Sequence, residues 1–183
     1  MTRKEALSSV RANIENENTV KHMLATEAIM RGLARRFGES EEEWGLAGLL
    51  HDIDLELTEG NMKQHSRLGA DLARDMGASD AVSHAILTHN QTHGIPIQTK
   101  MDRALYCTDP LTGLITAAAL VRPEKKLEPV EAKSVLKRFK EKSFAAGANR
   151  EQIASCIELG LSLEEFVDLG LKAMKGIAAS LGL

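Results

Sequence analysis

The 183-residue sequence predicts an all-α protein, and three observations carry the prediction. Aromatic residues make up only 3% of the chain. The core must therefore be built from Leu, Ile, Val, Ala and Met, which suits helix-on-helix packing better than a sandwich of strands rich in β-branched and aromatic residues. Helix-start signals recur along the whole chain. No segment alternates at period two for long; Ile95-Pro96-Ile97-Gln98 comes nearest, and Pro96 sits inside it.

The starts are four S/T/N-x-x-E/Q patterns: Thr2 to Glu5, Ser40 to Glu43, Asn149 to Gln152 and Ser162 to Glu165. In each, the first side chain accepts from a free N–H of the first turn, and the fourth reaches back to the cap. Gly38, Gly77, Gly147, Gly160 and Gly182 each follow a helix-like pattern and read as stops. The pattern predicts helices at about 2–16, 18–37, 40–52, 63–76, 79–90, 99–121, 129–142, 149–159 and 162–181. Arg122 to Val130, with Pro123 and Pro129, is the best linker. It divides a core over 1–121 from C-terminal helices over 122–183. The chain is long enough for one domain with a real core and short for two.

Composition narrows the function. Apolar residues at 43% and charged residues at 27% are ordinary for a soluble globular protein. The net charge of −3 lacks the basic footprint of a nucleic-acid binder. The expected partner is therefore a small phosphorylated molecule and not a nucleic-acid polymer, since a metal can supply local positive charge. Cys107 and Cys156 have no CxxC spacing and read as reduced buried thiols, in keeping with a cytoplasmic location. The N-terminus is too polar for a signal peptide. The uncharged run from Pro110 to Val121 is shorter than the ~20 residues of a membrane span, so no membrane partner is expected.

The chemistry begins at His51-Asp52. The apolar run Leu46 to Leu50 ends directly in this pair. A buried helix that ends in two adjacent polar groups needs partners for them, and a metal ion serves both at once. On the dipeptide alone, a helix end entering a polar loop is the blander reading. His22 lies 29 residues earlier, on the apolar face shared with Ala25, Thr26, Ile29 and Leu33. Two antiparallel helices with a turn at Gly38-Glu39 bring it beside His51. Asp109 interrupts an apolar stretch, where a carboxylate is costly unless paired or coordinated. Asp109-Pro110 also reads as a helix cap with proline at the first helical position, and both readings stay open. Two imidazoles and two carboxylates suit a divalent metal, with Fe, Mn, Mg, Zn and Ni not distinguished. His84, His89 and His93 crowd the next helix, but no HExxH glutamate accompanies the pair at 89 and 93.

His22, His51-Asp52 and Asp109, in that order, resemble the H…HD…D signature of the HD superfamily, and "AGLLHDID" resembles its HDIG-type subgroup. The likeness covers about residues 18–121. It implies an HD-domain helical bundle with extra C-terminal helices. It also implies one or two divalent ions and phosphohydrolase activity on a phosphate ester or anhydride of a nucleotide or similar small molecule. His65 in "KQHSRLGA" and His89 in "AILTHNQT" resemble the extra ligands of two-metal HD hydrolases of diadenosine tetraphosphate. On that likeness Asp52 is both a bridging ligand and catalytic, with a water between the ions attacking phosphorus. No GYP motif follows the metal residues, so the chain departs from the HD-GYP phosphodiesterases and their cyclic-di-GMP substrate is not implied.

Lys63, Arg67 and Arg103 are the cations nearest the ligands in sequence, and with His93 they are candidate substrate contacts. Asp54 either orients a ligand imidazole or is exposed. A di-iron oxygenase and a non-catalytic nucleotide-sensing HD domain are the alternatives. The final helix can serve the core or a homodimer.

Overall fold

Thr2 opens the structure: its Oγ1 accepts from the Glu5 N–H, Glu5 answers at the Thr2 N–H, and α1 (Arg3–Asn13) follows. The computed structural model describes residues 1–183 and contains ten α-helices and no strand. Asn16 caps α2 (Glu17–Phe37), which ends at Gly38 in the left-handed region, φ 69°, where a side chain would be strained. Ser40 caps α3 (Glu41–Leu50), so α2 and α3 form a tight antiparallel hairpin. Gly48 makes the approach possible. A Cβ there would sit 2.8 Å from the Glu27 backbone nitrogen.

Residues 51–66 are irregular turns leading to α4 (Arg67–Asp75) and α5 (Asp80–His89). The central α6 (Lys100–Leu120) packs against α2, α5 and the C-terminal helices α7 (Ala132–Lys140), α8 (Arg150–Ala154) and α9 (Leu163–Lys175). The short α10 (Ala178–Leu181) closes the chain onto α2. One cluster of 43 buried apolar residues runs from Ala6 to Leu181, so residues on both sides of position 121 share a core. The segment read as a linker is anchored by Leu127 and Val130, both buried. No helix is long and apolar enough to cross a membrane. Cys107 and Cys156 are free and buried.

The structure departs from the sequence reading at definite places. The helix expected from 63 begins only at Arg67, because Ser66 takes a left-handed φ of 67°. Gly147 stops nothing: α7 has already ended at Lys140, and Gly147 lacks a positive φ. The helix expected over 149–159 tightens to 3₁₀ geometry after Ala154. The final helix breaks at Gly176-Ile177. A capping box at Thr99 and Asp102 went unread. Asp109 is not a cap; it lies in the middle of α6, with Pro110 inside the helix.

Candidate metal centre

Helix ends place the donors. His22 sits in the second turn of α2, and His51 is the C-cap of α3. Their Nε2 atoms lie 3.0 Å apart. Asp109 comes from mid-α6, its Oδ1 3.2 Å from His22 Nε2 and 3.9 Å from His51 Nε2. The capping alternative for Asp109 is removed, and its carboxylate is left to the cluster. His65, at the end of the 51–66 turns, and His89, the last residue of α5, approach from the other side.

Asp52 stands between the two groups. Its Oδ2 is 3.5 Å from His22 Nε2 and 3.3 Å from His51 Nε2. Its Oδ1 is 3.4 Å from His65 Nε2 and 3.5 Å from His89 Nε2. His51, Asp52, His65 and His89 are buried, while His22 and Asp109 keep a partly open rim.

Every imidazole is held by its Nδ1. His51 Nδ1–H donates to the Gly48 carbonyl at 2.9 Å, and His89 Nδ1–H to the Ile86 carbonyl. His65 Nδ1–H donates to Asp54 Oδ1 at 2.8 Å. Thr112 Oγ1 donates to the Asp109 carbonyl, which leaves it to accept from His22 Nδ1–H at 2.8 Å. With Nδ1 the donor, four Nε2 lone pairs converge on two carboxylates. That donor set fits divalent ions, and bracing each imidazole through its far nitrogen is how metal-binding histidines are oriented. His22, His51 and Asp109 are close enough together to share one ion, and so are His51, Asp52 and His89.

Without an ion, two bare lone pairs 3.0 Å apart would repel, and a proton takes the place. Burial opposes charging His51, but the carboxylates of Asp52 and Asp109 outweigh it and hold the imidazole up at about 9. Burial likewise opposes ionising Asp52, yet the charge and hydrogen bond of the neighbouring His51 keep its carboxyl well below the usual range. Burial also opposes ionising Asp109, and His22 outweighs it to lower that carboxyl. For His65, burial is outweighed by Asp54 and Asp52, which raise it.

Asp54 is fully buried. Beyond His65, its Oδ2 accepts the N–H groups of Ser66 and Gly69, both at 2.7 Å. It fixes the turn that delivers His65, and a Cβ at Gly69 would press on its carboxylate at 3.1 Å. Local sequence could have found Thr112, three residues beyond Asp109 on the same helix face. Nothing local pointed to the α8 residues described next.

A cleft of about 330 Å³ opens over Asp52, His65, His89 and Asp109. Asn90, Gln91, Asn149 and Gln152 line it as well, and no Lys or Arg does. None of the four residues expected to contact substrate lines this cleft. Lys63 is exposed on the 51–66 segment. Arg67 Nε donates to His93 Nδ1 at 3.0 Å, while His93 Nε2 donates to the His65 carbonyl at 2.7 Å. Both are thereby engaged in bracing the backbone of His65. Arg103 pairs with Glu158 at 2.6 Å and stacks over Tyr106. His84 is also apart, bonded to the buried Asp102.

Comparison with known proteins agrees with this geometry. The HD domain family model matches residues 19–138, so the chain belongs to the HD domain family. Among curated proteins it is similar to Ribonuclease Y of Oleidesulfovibrio alaskensis, 28% identical over 139 residues. Ribonuclease Y of Sulfurovum sp. is 30% identical over 139 residues, and that of Geobacter sulfurreducens 28% over 156. These matches take in 74%, 74% and 84% of this chain but only 26%, 27% and 29% of those proteins, so the chain spans under a third of their length. No solved structure matches.

The relatives correct one expectation. Exclusion of a nucleic-acid polymer rested on the net charge of −3, and similarity to proteins named Ribonuclease Y overturns it. Net charge averages over the whole surface, whereas a scissile phosphate meets only the charge at the metal centre.

Proposed function

We propose that this chain is a metal-dependent phosphohydrolase that cleaves a phosphoester of a nucleotide, free or within RNA. One observation carries the reading: the two oxygens of the Asp52 carboxylate each face two imidazole Nε2 atoms, at 3.3–3.5 Å. A carboxylate so placed would be shared if each pair of imidazoles held an ion. In this reading His22, His51 and Asp109 would hold one ion, His65 and His89 would hold a second, and Asp52 would serve both. Bound divalent ions supply Lewis acidity toward a phosphoryl oxygen and a lowered pKa for water.

The chain's own residues do the rest. Gly48, Asp54, Ile86 and Thr112 keep the four Nε2 lone pairs aimed inward, so no imidazole must turn when charge develops. The lack of any Lys or Arg along the cleft leaves neutralisation of the phosphate to the centre itself. Membership of the HD domain family and similarity to Ribonuclease Y support hydrolysis over oxygen chemistry. The filled donor positions support catalysis over sensing.

The test is turnover of bis(p-nitrophenyl) phosphate, and of a short single-stranded RNA, by protein loaded separately with Mn, Fe, Zn, Ni or Mg. Elemental analysis of the same samples counts the ions. The expected result is turnover without oxygen consumption, about two ions per chain, and loss of roughly 10³-fold or more in Asp52→Ala. Oxygen uptake without hydrolysis, or undiminished turnover in Asp52→Ala, rejects the reading.

A further inference from the structure

We infer that Asn149 and Gln152 form a nucleobase-reading pair at the edge of the metal centre, an inference that rests on the phosphohydrolase reading above. Both line the cleft that holds Asp52, His65, His89 and Asp109. Both lie beyond the region 19–138 matched by the HD family.

Each amide has one end tied to the protein, and the tie fixes what the other end offers. Asn149 Oδ1 accepts the N–H groups of Glu151 and Gln152, at 3.0 and 3.1 Å. Its Nδ2 is therefore a donor, and it has no partner in the protein. Gln152 is tied the opposite way. Its Nε2 donates to the Tyr106 carbonyl at 3.1 Å. Tyr106 precedes Pro110 by four residues, and proline has no N–H to give that carbonyl. Gln152 fills the vacancy, so its free Oε1 is an acceptor.

The two residues are three apart and neighbours across the first turn of α8. Two residues that line the cleft, Asn149 exposed at its mouth and the half-buried Gln152, thus carry one fixed donor and one fixed acceptor on a braced element. A scissile phosphate would have use for neither together: it offers acceptors only, and the cleft wall carries no cation for a second phosphate. The Watson–Crick edge of a nucleobase presents an acceptor beside a donor, and side-chain amides pair with such edges. The ligand group assigned to α8 is accordingly the base of the nucleotide whose phosphate lies at the metal centre.

The test is equilibrium binding to the full-length, Mn-loaded protein. The probes are the four ribonucleoside 5′-monophosphates and ribose 5-phosphate, which has the phosphate and sugar but no base. Asn149→Gly and Asn149→Asp both remove the free donor, and both residues are accepted at helix N-caps. The wild type is expected to bind at least one nucleotide roughly tenfold more tightly than ribose 5-phosphate. Both variants should bring that ratio within about twofold, and Asn149→Gly, which adds no charge, should leave ribose 5-phosphate affinity unchanged. The inference is overturned if the wild type does not favour any nucleotide, or if both variants retain the preference. A parallel loss of ribose 5-phosphate affinity in Asn149→Gly overturns it too, because that marks a merely structural role. Turnover of bis(p-nitrophenyl) phosphate, which has no base, separates the two readings. If it persists without base preference, only the α8 pair falls; if neither turnover nor phosphate binding is seen, the hydrolase reading falls and the pair with it.

Discussion

Asp54 does more for the centre than its distance from the cleft implies. Its carboxylate accepts three N–H groups, from His65, Ser66 and Gly69, with no solvent access. Asp54→Asn would turn one acceptor oxygen into a donor facing donors. We expect a loss of about 2–3 kcal/mol in stability. Elemental analysis should show metal content falling by about one ion per chain while the His22 side stays loaded. Unchanged stoichiometry would refute this.

His51 sets the pH behaviour at the same scale. In the metal-free protein its imidazole is raised from 6.5 to about 9. The folded state holds this proton more tightly than the unfolded chain. Its stabilising effect is therefore complete below about 6.5 and is lost as pH rises through about 9. A metal must displace the proton, so metal uptake at pH 7 should release about one proton per chain from this site, and uptake at pH 10 none. Calorimetry in buffers of different ionisation enthalpy measures the number. Equal release at both pH values would show that the proton is not there.

At the scale of elements, the loop between α7 and α8 owes its shape to one side chain. Arg150 donates to the carbonyls of Phe139, Ala145, Ala148 and Glu141 at 3.1, 2.9, 2.6 and 3.3 Å, and also to those of Arg138 and Phe144. Ala145 to Ala148 face His22 and Asp109 across a second cavity of about 360 Å³. Arg150→Ala should cost about 2 kcal/mol and make residues 138–148 the first site of limited proteolysis. It should raise KM for nucleotide substrates more than it lowers kcat, since no metal-facing atom moves. A fall in kcat at constant KM would contradict this.

Much of this organisation could be read from the chain. The stop at Gly38 and the cap at Ser40 are local signals, and they located the turn that brings the helices of His22 and His51 together. What escaped depended on distant atoms. Asp109-Pro110 resembles a helix start because proline lacks an N–H, and the helix runs on because Gln152, 42 residues past Pro110, serves the orphaned carbonyl. Lys63, Arg67 and Arg103 are near the ligands only along the sequence. The partners of the two arginines, His93 and Glu158, are set by tertiary contacts that sequence distance does not measure. Asp54 was visible as a residue, but its three donors become evident only when the turn at Ser66 is built.

For the whole molecule the question is whether the ligand-bearing segment 1–121 stands alone. The packing says it does not. Phe166 is fully buried, and Gly170 lets α9 approach so closely that a Cβ there would lie 2.9 Å from Leu111 and 3.4 Å from Ile29. Leu127, Val130, Val135, Ile153, Val167, Leu171 and Met174 are buried in the same cluster. Burying a large apolar side chain is worth about 1.5–3 kcal/mol, so these eight residues contribute roughly 12–24 kcal/mol, at least as much as the ~5–15 kcal/mol net stability of a typical domain. A fragment ending at Val121 would also leave the Tyr106 carbonyl without Gln152 and His22 without its facing loop. We expect this fragment to show no cooperative urea transition by circular dichroism and to bind Mn at least roughly 100-fold more weakly than the full chain. A fragment that unfolds cooperatively and keeps full metal affinity would mean that residues 122–183 are an addition to the HD core, and the cleft would then owe its α8 wall to docking after folding.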